Sequence, residues 1–282
     1  MELRKRSVEV ICRDGSTITV TVVDAEELPE LAPVFLCLPA MGVPAAFYAK
    51  LAEPLVAEGW RLVTSDLRGN ALSSVRASRS VNFGFNTIIV HDFPSIFAKA
   101  RELFPHAPLY LLGHSLGGKI GLLYIASNPR AVAGVVLVAT PSLHYTCWGF
   151  PRGLGVLLAV QTMRAIARLW GYFPGRRLGF GGTEAQLVIR DWAHQNLTGR
   201  YEPAGSLVNY EALLSDLDIS ILSLYFPNDF FAPQGAVEGL CRKLANAKVK
   251  LVGIGNKQMN HFNWVKNNTE VVSNIRDWLA KI

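Results

Sequence analysis

The chain has 282 residues, half of them hydrophobic, and a formal net charge of +6. A chain of this length and apolarity can bury a full core as one domain with an insertion. The positive charge is dispersed along the sequence, which argues against a nucleic-acid partner. Residues 4–6 are basic but lead into an alternating run rather than an apolar stretch, so no signal peptide is expected. The four cysteines lack metal-ligand spacing, and we therefore expect a reduced cytoplasmic protein that binds no metal.

The first predicted elements form an antiparallel hairpin, because residues 8–12 and 17–23 alternate in polarity around Asp14-Gly15. Further β-type runs alternate with helix-length segments along the rest of the chain. We predict strands at residues 34–38, 61–65, 109–112, 132–138, 219–226 and 248–254. We predict helices at residues 44–58, 85–104, 115–127, 233–245 and 262–281. This alternation is typical of a mostly parallel, eight-stranded sheet with helices on both faces.

Residues 141–218 lie between the sixth and seventh predicted strands and are too many for a simple connection. We expect a helical cap here, with helices at 154–170 and 184–196, inserted into a core domain of residues 1–140 and 219–282. The cap is rich in aromatic residues, which suits either a pocket for an apolar substrate or a seal between cap and core. These residues are Trp148, Phe150, Trp170, Tyr172, Phe173 and Phe180.

The cap is also basic, since residues 141–182 contain five arginines and no acidic residue. An amphipathic basic cap can contact an anionic membrane, or it can orient a carboxylate or phosphate of a substrate. We favour an ordinary solvated face, because arginine stems also cover apolar surface in solvated helices. The predicted helix at 154–170 is too short and too charged to span a bilayer.

Residues 113–117 have the sequence Gly-His-Ser-Leu-Gly and lie between a β-type run and a helix-type run. A serine at a sharp turn from strand to helix needs neighbours without bulky side chains, and Gly113, Gly117 and Gly118 meet that need. The same glycines would also allow a helix to pack closely on a sheet. The flanking runs favour the first interpretation, so we predict that Ser115 is a nucleophile.

A serine nucleophile needs a histidine base and a carboxylate that orients the base. His261 follows the last predicted strand, which is where the chain order Ser, Asp, His places the base. A loop histidine with a purely structural hydrogen bond is the alternative. The other histidines adjoin the serine, precede it or lie in the predicted cap: His91, His106, His114, His144 and His194.

Asp229 is the predicted acid because it follows the strand at 219–226, at the carboxyl end where an open α/β sheet presents functional groups. An exposed turn residue beside Pro227 is the alternative. Asp66 also follows a strand, but we assign its carboxylate to local capping or pairing. We interpret Asp92 as a first-turn charge that the helix dipole favours.

Two backbone amides are the predicted donors to the oxyanion that forms during acyl transfer. One is the amide of Leu116, which follows the nucleophile at the positive end of the next helix. The other is the amide of Met41, in the loop Pro39-Ala40-Met41-Gly42-Val43-Pro44. A rigid turn that leads into a helix explains the same loop, and the two interpretations are compatible.

With these motifs the chain resembles the α/β-hydrolase superfamily over nearly all of its length, and more narrowly a bacterial group of predicted hydrolases with a Pro-Ala-Met-Gly-Val-Pro first loop. The resemblance rests on residues 113–117, Asp66-Leu67-Arg68-Gly69, the loop at 227–233 and Asn260-His261-Phe262. It implies the α/β-hydrolase fold and gives the triad roles to Ser115, Asp229 and His261. The chain departs from many members at Pro39-Ala40, where they have His-Gly, and at Asn70-Ala71, where a glycine is more usual.

Together these features predict a serine hydrolase that cleaves a carboxylic ester or thioester through an acyl-enzyme on Ser115, with no metal or organic cofactor. The expected partner is a small apolar acyl substrate. The nearest alternative is an acyltransferase or cyclase that gives the acyl group to an alcohol, an amine or an internal nucleophile, and a lactonase is a further option. A ligand-binding protein of this fold with negligible turnover belongs to a different class. The sequence does not determine the substrate or the oligomeric state.

Overall fold

The computed structural model describes residues 2–255 and 259–282, which form ten strands in two sheets. The strands are β1 (Leu3–Ile11), β2 (Thr17–Ala25), β3 (Val34–Leu38), β4 (Arg61–Ser65), β5 (Leu109–His114), β6 (Gly134–Val138), β7 (Tyr172–Phe173), β8 (Glu184–Ala185), β9 (Ser220–Tyr225) and β10 (Lys248–Gly253). The main sheet has the order β1-β2-β4-β3-β5-β6-β9-β10. Strand β2 runs antiparallel to β1 and β4, and the other pairs are parallel. The predicted eight-stranded, mostly parallel sheet is confirmed.

Helices connect these strands, as the sequence pattern predicted. The α-helices are α1 (Ala52–Ala57), α2 (Phe85–Thr87), α3 (Phe93–Leu103), α4 (Leu116–Ser127), α5 (Arg152–Trp170), α6 (Gly175–Leu178), α7 (Gln186–Thr198), α8 (Tyr210–Asp216), α9 (Gln234–Cys241) and α10 (Thr269–Leu279). Four 3-10 turns lie at Ala45–Leu51, Pro129–Ala131, Tyr145–Trp148 and Asn263–Val265, and a π turn spans Ile88–Asp92.

The central strands are buried on both faces, so the core consists of two large apolar clusters, one on each side of the main sheet. Every residue of β3, β4 and β6 is buried, as expected for parallel strands between two helical layers. Leu36 and the side chains of α3 and α4 belong to one apolar cluster, whereas Phe35 and the side chains of α1 and α10 belong to the other. Adjacent residues of one strand thus serve opposite faces, which follows from the two-residue period of a strand.

The terminal helix differs most from its prediction, because α10 begins at Thr269 and not at residue 262. Asn268 lies just before it, and its side-chain amide donates to the carbonyls of Val265 (2.9 Å) and Lys50 (3.1 Å). Such side-chain bonds to the backbone favour turns over a continuous helix. The predicted helix at 85–104 exists, but a π turn interrupts it before α3.

Residues 141–218 contain both predicted helices, as α5 and α7, which pack against each other. Ala167, Phe173 and Ile189 form a small apolar cluster here, and Gln161 donates to the carbonyl of Ala193 (3.0 Å). The two-stranded sheet of β7 and β8 was not predicted, because strands of two residues carry no detectable periodicity. Among the described helices, none is long and apolar enough to cross a membrane.

Candidate active site

Ser115 occupies a strained turn between β5 and α4. Its backbone φ is +50°, in the left-handed region that residues other than glycine rarely adopt. The amide of Ser115 donates to the carbonyl of Val138 (3.1 Å), which ties the turn to β6. A methyl group on Gly113 would collide with the backbone of Gly118, and one on Gly117 would collide with the loop after β3. The glycines therefore allow the close packing that this turn requires.

The three side chains predicted to form the reactive site lie in one hydrogen-bonded line. Ser115 Oγ is 3.0 Å from His261 Nε2, and His261 Nδ1 is 2.8 Å from Asp229 Oδ2. Ser115 lies in the turn after β5, His261 in the segment after β10 and Asp229 in the loop after β9, all at the carboxyl ends of parallel strands. The sheet topology thus joins residues that are up to 146 positions apart in the sequence.

The carboxylate of Asp229 is held by its own loop. Its side chain is fully buried, and its Oδ1 accepts hydrogen bonds from the amides of Phe231 (2.7 Å) and Ala232 (3.0 Å). Its Oδ2 is therefore directed to His261. The His261 ring also packs against the rings of Phe231 and Phe262, with centroids 5.3 Å and 4.9 Å away. Both side chains are fixed in orientation before any ligand binds.

The two other aspartates considered from the sequence have structural contacts. Asp66 accepts hydrogen bonds from the amides of Ala45 (2.7 Å) and Leu72 (3.1 Å), which confirms its local pairing. Asp92 directly precedes α3, as predicted, but its carboxylate pairs with Arg68 and makes no capping bond to the helix. Its side chain is fully buried at the π turn and accepts a hydrogen bond from Arg68 Nε (3.0 Å). Burial raises the pKa of Asp92, and the Arg68 guanidinium opposes that rise.

Two residues that the sequence did not single out connect the first loop to His261. The Tyr48 hydroxyl accepts a hydrogen bond from the amide of Ala40 (2.9 Å) and is bonded to His114 Nδ1 (2.6 Å). The His114 ring then packs against His261, with centroids 4.9 Å apart. Burial lowers the pKa of His114 well below its usual value, and the nearby His261 adds to this effect. His114 is therefore a neutral ring that supports the position of His261.

The residues of the two predicted oxyanion donors, Met41 and Leu116, line the same cavity as Ser115. Leu116 is the first residue of α4, so its amide has no acceptor within the helix. Met41 lies in the turn closed by the hydrogen bond from the Val43 amide to the Ala40 carbonyl (3.1 Å). Preorganised amides at these positions can stabilise an oxyanion.

Comparison with known proteins bears on this architecture. A family model described as alpha/beta hydrolase fold matches residues 33–165. Among solved structures, Est1E from Butyrivibrio proteoclasticus with bound ferulic acid is similar to this chain, with a TM-score of 0.67 and 14% identity over 97% of this chain and 100% of that chain. The chain has the α/β-hydrolase fold. A search of curated proteins returned no match.

Two further solved structures share the α/β-hydrolase fold with this chain at low sequence identity. The thioesterase domain from the curacin biosynthetic pathway has a TM-score of 0.58 and 16% identity over 98% of this chain and 100% of that chain. The enol-lactonase from Burkholderia xenovorans LB400 has a TM-score of 0.59 and 14% identity over 97% of this chain and 100% of that chain.

In this α/β-hydrolase fold, a cavity of about 580 Å³ opens beside Ser115 and His261, and most of its lining is apolar. Of the six aromatic residues noted in the predicted cap, Trp148 and Phe180 line this cavity. Phe150 is instead 86% exposed, and Phe173 is buried in the cluster with Ala167 and Ile189. Further aromatic walls come from Trp192, Phe230, Phe231 and Phe262. Two of the six residues thus line the cavity, whereas Phe173 packs against other residues of the segment 141–218.

Lys119 also lines this cavity, and the sequence analysis did not identify it. It lies four residues after Ser115 in α4 and is only 1% exposed. Residues four apart share one face of a helix, so the spacing from Ser115 is the signal that marks this position. The sequence alone does not show that this face is covered by residues 141–218.

Proposed function

We propose that this protein is a serine hydrolase that cleaves a carboxylic ester or thioester through an acyl-enzyme on Ser115. The observation that carries the proposal is the hydrogen-bonded line from Ser115 through His261 to Asp229, at the wall of an apolar cavity. A base within hydrogen-bond reach of a serine, and oriented by a third group, is the arrangement that activates a serine hydroxyl.

The reaction begins when Ser115 Oγ attacks the acyl carbonyl carbon and its proton passes to His261 Nε2, 3.0 Å away. Asp229 holds the opposite ring nitrogen and stabilises the imidazolium. The tetrahedral intermediate then collapses, and the leaving alcohol or thiol takes the proton from His261. Water that His261 deprotonates attacks the acyl-enzyme, which releases the acid and restores Ser115.

The amides of Leu116 and Met41 are the proposed donors to the oxyanion. Each removed donor of this kind costs roughly 3–4 kcal/mol of transition-state stabilisation in serine enzymes. The amide of Leu116 is held in place because Leu116 begins α4. The Met41 turn is held by the hydrogen bond from the Ala40 amide to the Tyr48 hydroxyl. The donors therefore need little reorganisation when negative charge develops.

The proposed substrate is a small molecule with an apolar acyl group, because the cavity is mostly apolar and has room for one. The solved structures with this fold include a thioesterase domain, an enol-lactonase and a complex with ferulic acid, which supports acyl chemistry as the reaction class. The narrower bacterial group with the Pro-Ala-Met-Gly-Val-Pro loop, the cytoplasmic location and the cap as a separate domain stay predictions.

Labelling with a fluorophosphonate tests the proposal, with intact mass as the readout for the parent protein and for Ser115→Ala. We expect one adduct on the parent and none on the variant, together with turnover of p-nitrophenyl butyrate by the parent only. A folded parent protein that takes no adduct would contradict the proposal and favour a ligand-binding role. Product analysis with an added alcohol or amine then distinguishes hydrolysis from acyl transfer.

A further inference from the structure

Lys119 is a buried basic residue whose side chain lines the cavity of the candidate active site. Helical side chains lean toward the N-terminus of their helix, so Lys119 projects back toward Ser115, four residues earlier in the chain. Within the part of the chain that the structure describes, no hydrogen bond or ion pair engages its ammonium group. Burying a polar group without a partner is costly, so an amine retained here needs a partner that the protein itself does not supply.

The charge of the cavity indicates the kind of partner. Its described lining contains no aspartate or glutamate. Burial is the cause that lowers the pKa of Lys119 well below its usual value, and no carboxylate opposes this effect. Arg152, the arginine of the described lining, is exposed, donates to the carbonyl of Phe230 (2.9 Å) and stacks on its ring at 4.4 Å. Lys119 is therefore the buried basic group of this lining that has no partner among the described residues.

We propose that Lys119 binds a carboxylate carried on the acyl chain of the substrate, so that the preferred substrates are half-esters or half-thioesters of dicarboxylic acids. This inference rests on the proposed function and changes its substrate from one with a wholly apolar acyl group to one whose apolar acyl chain ends in a carboxylate. One ammonium offers a single charge and three donors, which suits a carboxylate. Phosphate sites usually combine several donors, such as backbone amides or arginine forks. In the described lining of this cavity, the amides of Met41 and Leu116 are assigned to the oxyanion, and the guanidinium of Arg152 is bound to Phe230.

The carboxylate belongs to the acyl chain because of where the cavity is open. Lys119 is 1% exposed, whereas Phe230, at the Arg152 side, is 59% exposed. A leaving group must depart and water must enter, so the exposed side of the cavity serves these steps. The buried side then holds the acyl group, which stays bound to Ser115 through the second half of the reaction.

Calorimetric titration tests this inference with proteins that all carry Ser115→Ala, so that binding is measured without turnover. Monomethyl adipate is compared with methyl hexanoate, because both have a six-carbon acyl chain and they differ in a terminal carboxylate. We expect monomethyl adipate to bind at least about tenfold more tightly, since hydrogen bonds to ionised groups are the stronger ones. Adding Lys119→Met should bring the ratio of the two affinities to within about twofold.

At pH values where the free Lys119 amine is partly deprotonated, binding of monomethyl adipate should also take up protons, because an anion beside Lys119 favours its charged form. The heat of binding will then depend on the ionisation enthalpy of the buffer, and this dependence should be lost in Lys119→Met. Arg152→Met is the matched control, since it removes a positive charge at the exposed side of the same cavity.

Three results would overturn the inference: a carboxylate preference that survives Lys119→Met, a preference lost in Arg152→Met instead, or no saturable binding of either ester. Melting temperatures show that each variant is folded. Fluorophosphonate labelling of the parent protein is an independent readout. A protein that is labelled but shows no preference keeps the proposed function and loses this inference, whereas one that binds with preference but is never labelled is a carboxylate-binding protein without the proposed hydrolase activity.

Discussion

Asp229 and Lys119 are both buried at the candidate active site, but their surroundings treat their charges differently. The carboxylate of Asp229 has a ring nitrogen and two backbone amides as partners. The ammonium of Lys119 has none among the described residues. A buried charge with full hydrogen bonding is tolerated, whereas one without partners lowers stability. A substitution of Asp229 should therefore lower the reaction rate, whereas a substitution of Lys119 by an apolar residue should raise the free energy of unfolding.

Asp229→Asn should lower kcat by roughly 10⁴-fold, the effect of this change in other serine triads. Asparagine keeps the shape of the side chain, but its amide cannot stabilise an imidazolium and can hold His261 in the wrong tautomer. Steady-state hydrolysis of p-nitrophenyl butyrate measures the effect. A variant with an unchanged circular dichroism spectrum and near-parental kcat would show that Asp229 is not the acid.

Lys119→Met should raise the free energy of unfolding by roughly 1–3 kcal/mol at pH 7, because methionine removes the burial cost of the amine. The ordinary pKa of lysine is 10.5, and burial lowers it in the folded protein. Between these two pKa values the unfolded chain binds more protons, so the part of the cost that comes from the charge is greatest at low pH and vanishes above the unfolded value. The gain from Lys119→Met should thus shrink as pH rises toward 10.

Urea denaturation of the parent and Lys119→Met at several pH values measures this difference. The comparison cancels other groups that titrate in both proteins. A variant that is less stable than the parent at pH 7 would indicate that the amine has a stabilising partner in the folded protein.

At the scale of elements, α4 and the loop after β3 approach each other closely enough to set the shape of the site. A Cβ on Gly117 would overlap the carbonyl oxygens of Leu38 and Pro39. These carbonyls belong to the backbone that leads into the Met41 turn, and backbone yields less easily than a side chain. The absence of a side chain at Gly117 therefore sets the distance between the two proposed oxyanion donors.

Gly117→Ala should destabilise the protein by roughly 1–3 kcal/mol, because the new methyl group must displace the first loop. It should also lower kcat, since displacement of the Met41 turn separates the two amides. Gly155→Ala is the matched control, because a Cβ at Gly155 in α5 meets nothing within 4 Å. That change should stabilise the protein by roughly 0.5–1 kcal/mol through better helix propensity. Equal unfolding midpoints for the two variants would contradict this account.

At the scale of the whole molecule, Arg68 joins three segments that are distant in the sequence. It lies after β4, and its side chain is only 5% exposed. Its guanidinium contacts Asp14 in the β1–β2 turn (2.8 Å) and Asp92 at the π turn before α3. Burial by itself lowers the pKa of Arg68, but the hydrogen bonds and charges of the buried Asp92 and the exposed Asp14 raise it above its usual value, so the charge of Arg68 is permanent. The network anchors the amino-terminal hairpin to the rest of the sheet and its helices.

Arg68→Leu should lower the free energy of unfolding by roughly 3–5 kcal/mol, because it leaves the fully buried Asp92 without its counter-ion. Arg276→Leu is the control: Arg276 pairs with Glu58 at the surface (2.9 Å) and is 54% exposed, so its loss should cost at most about 1 kcal/mol. Guanidinium chloride unfolding compares the two. Similar losses in both variants would show that burial does not strengthen the Arg68 network.

The sequence alone predicted the sheet, the order of its helices and strands, and the positions of Ser115, Asp229 and His261. These features depend on local patterns: the two-residue period of strands, the longer period of helices, and turns after strands. Parallel topology then requires strand ends to meet at one edge, so functional residues that follow strands come together. The misplaced start of α10 arose because Asn268 bonds to Lys50, more than 200 residues away, a contact with no local signal.

Only the tertiary structure decided which side chains are buried together. It placed Lys119 in the cavity, buried Asp92 against Arg68 and joined Tyr48 through His114 to His261. In the sequence these residues look like an ordinary helix lysine, a first-turn acid and a histidine beside the nucleophile. Their roles depend on packing between elements that are far apart in the chain, and a residue's exposure and its partners are properties of that packing.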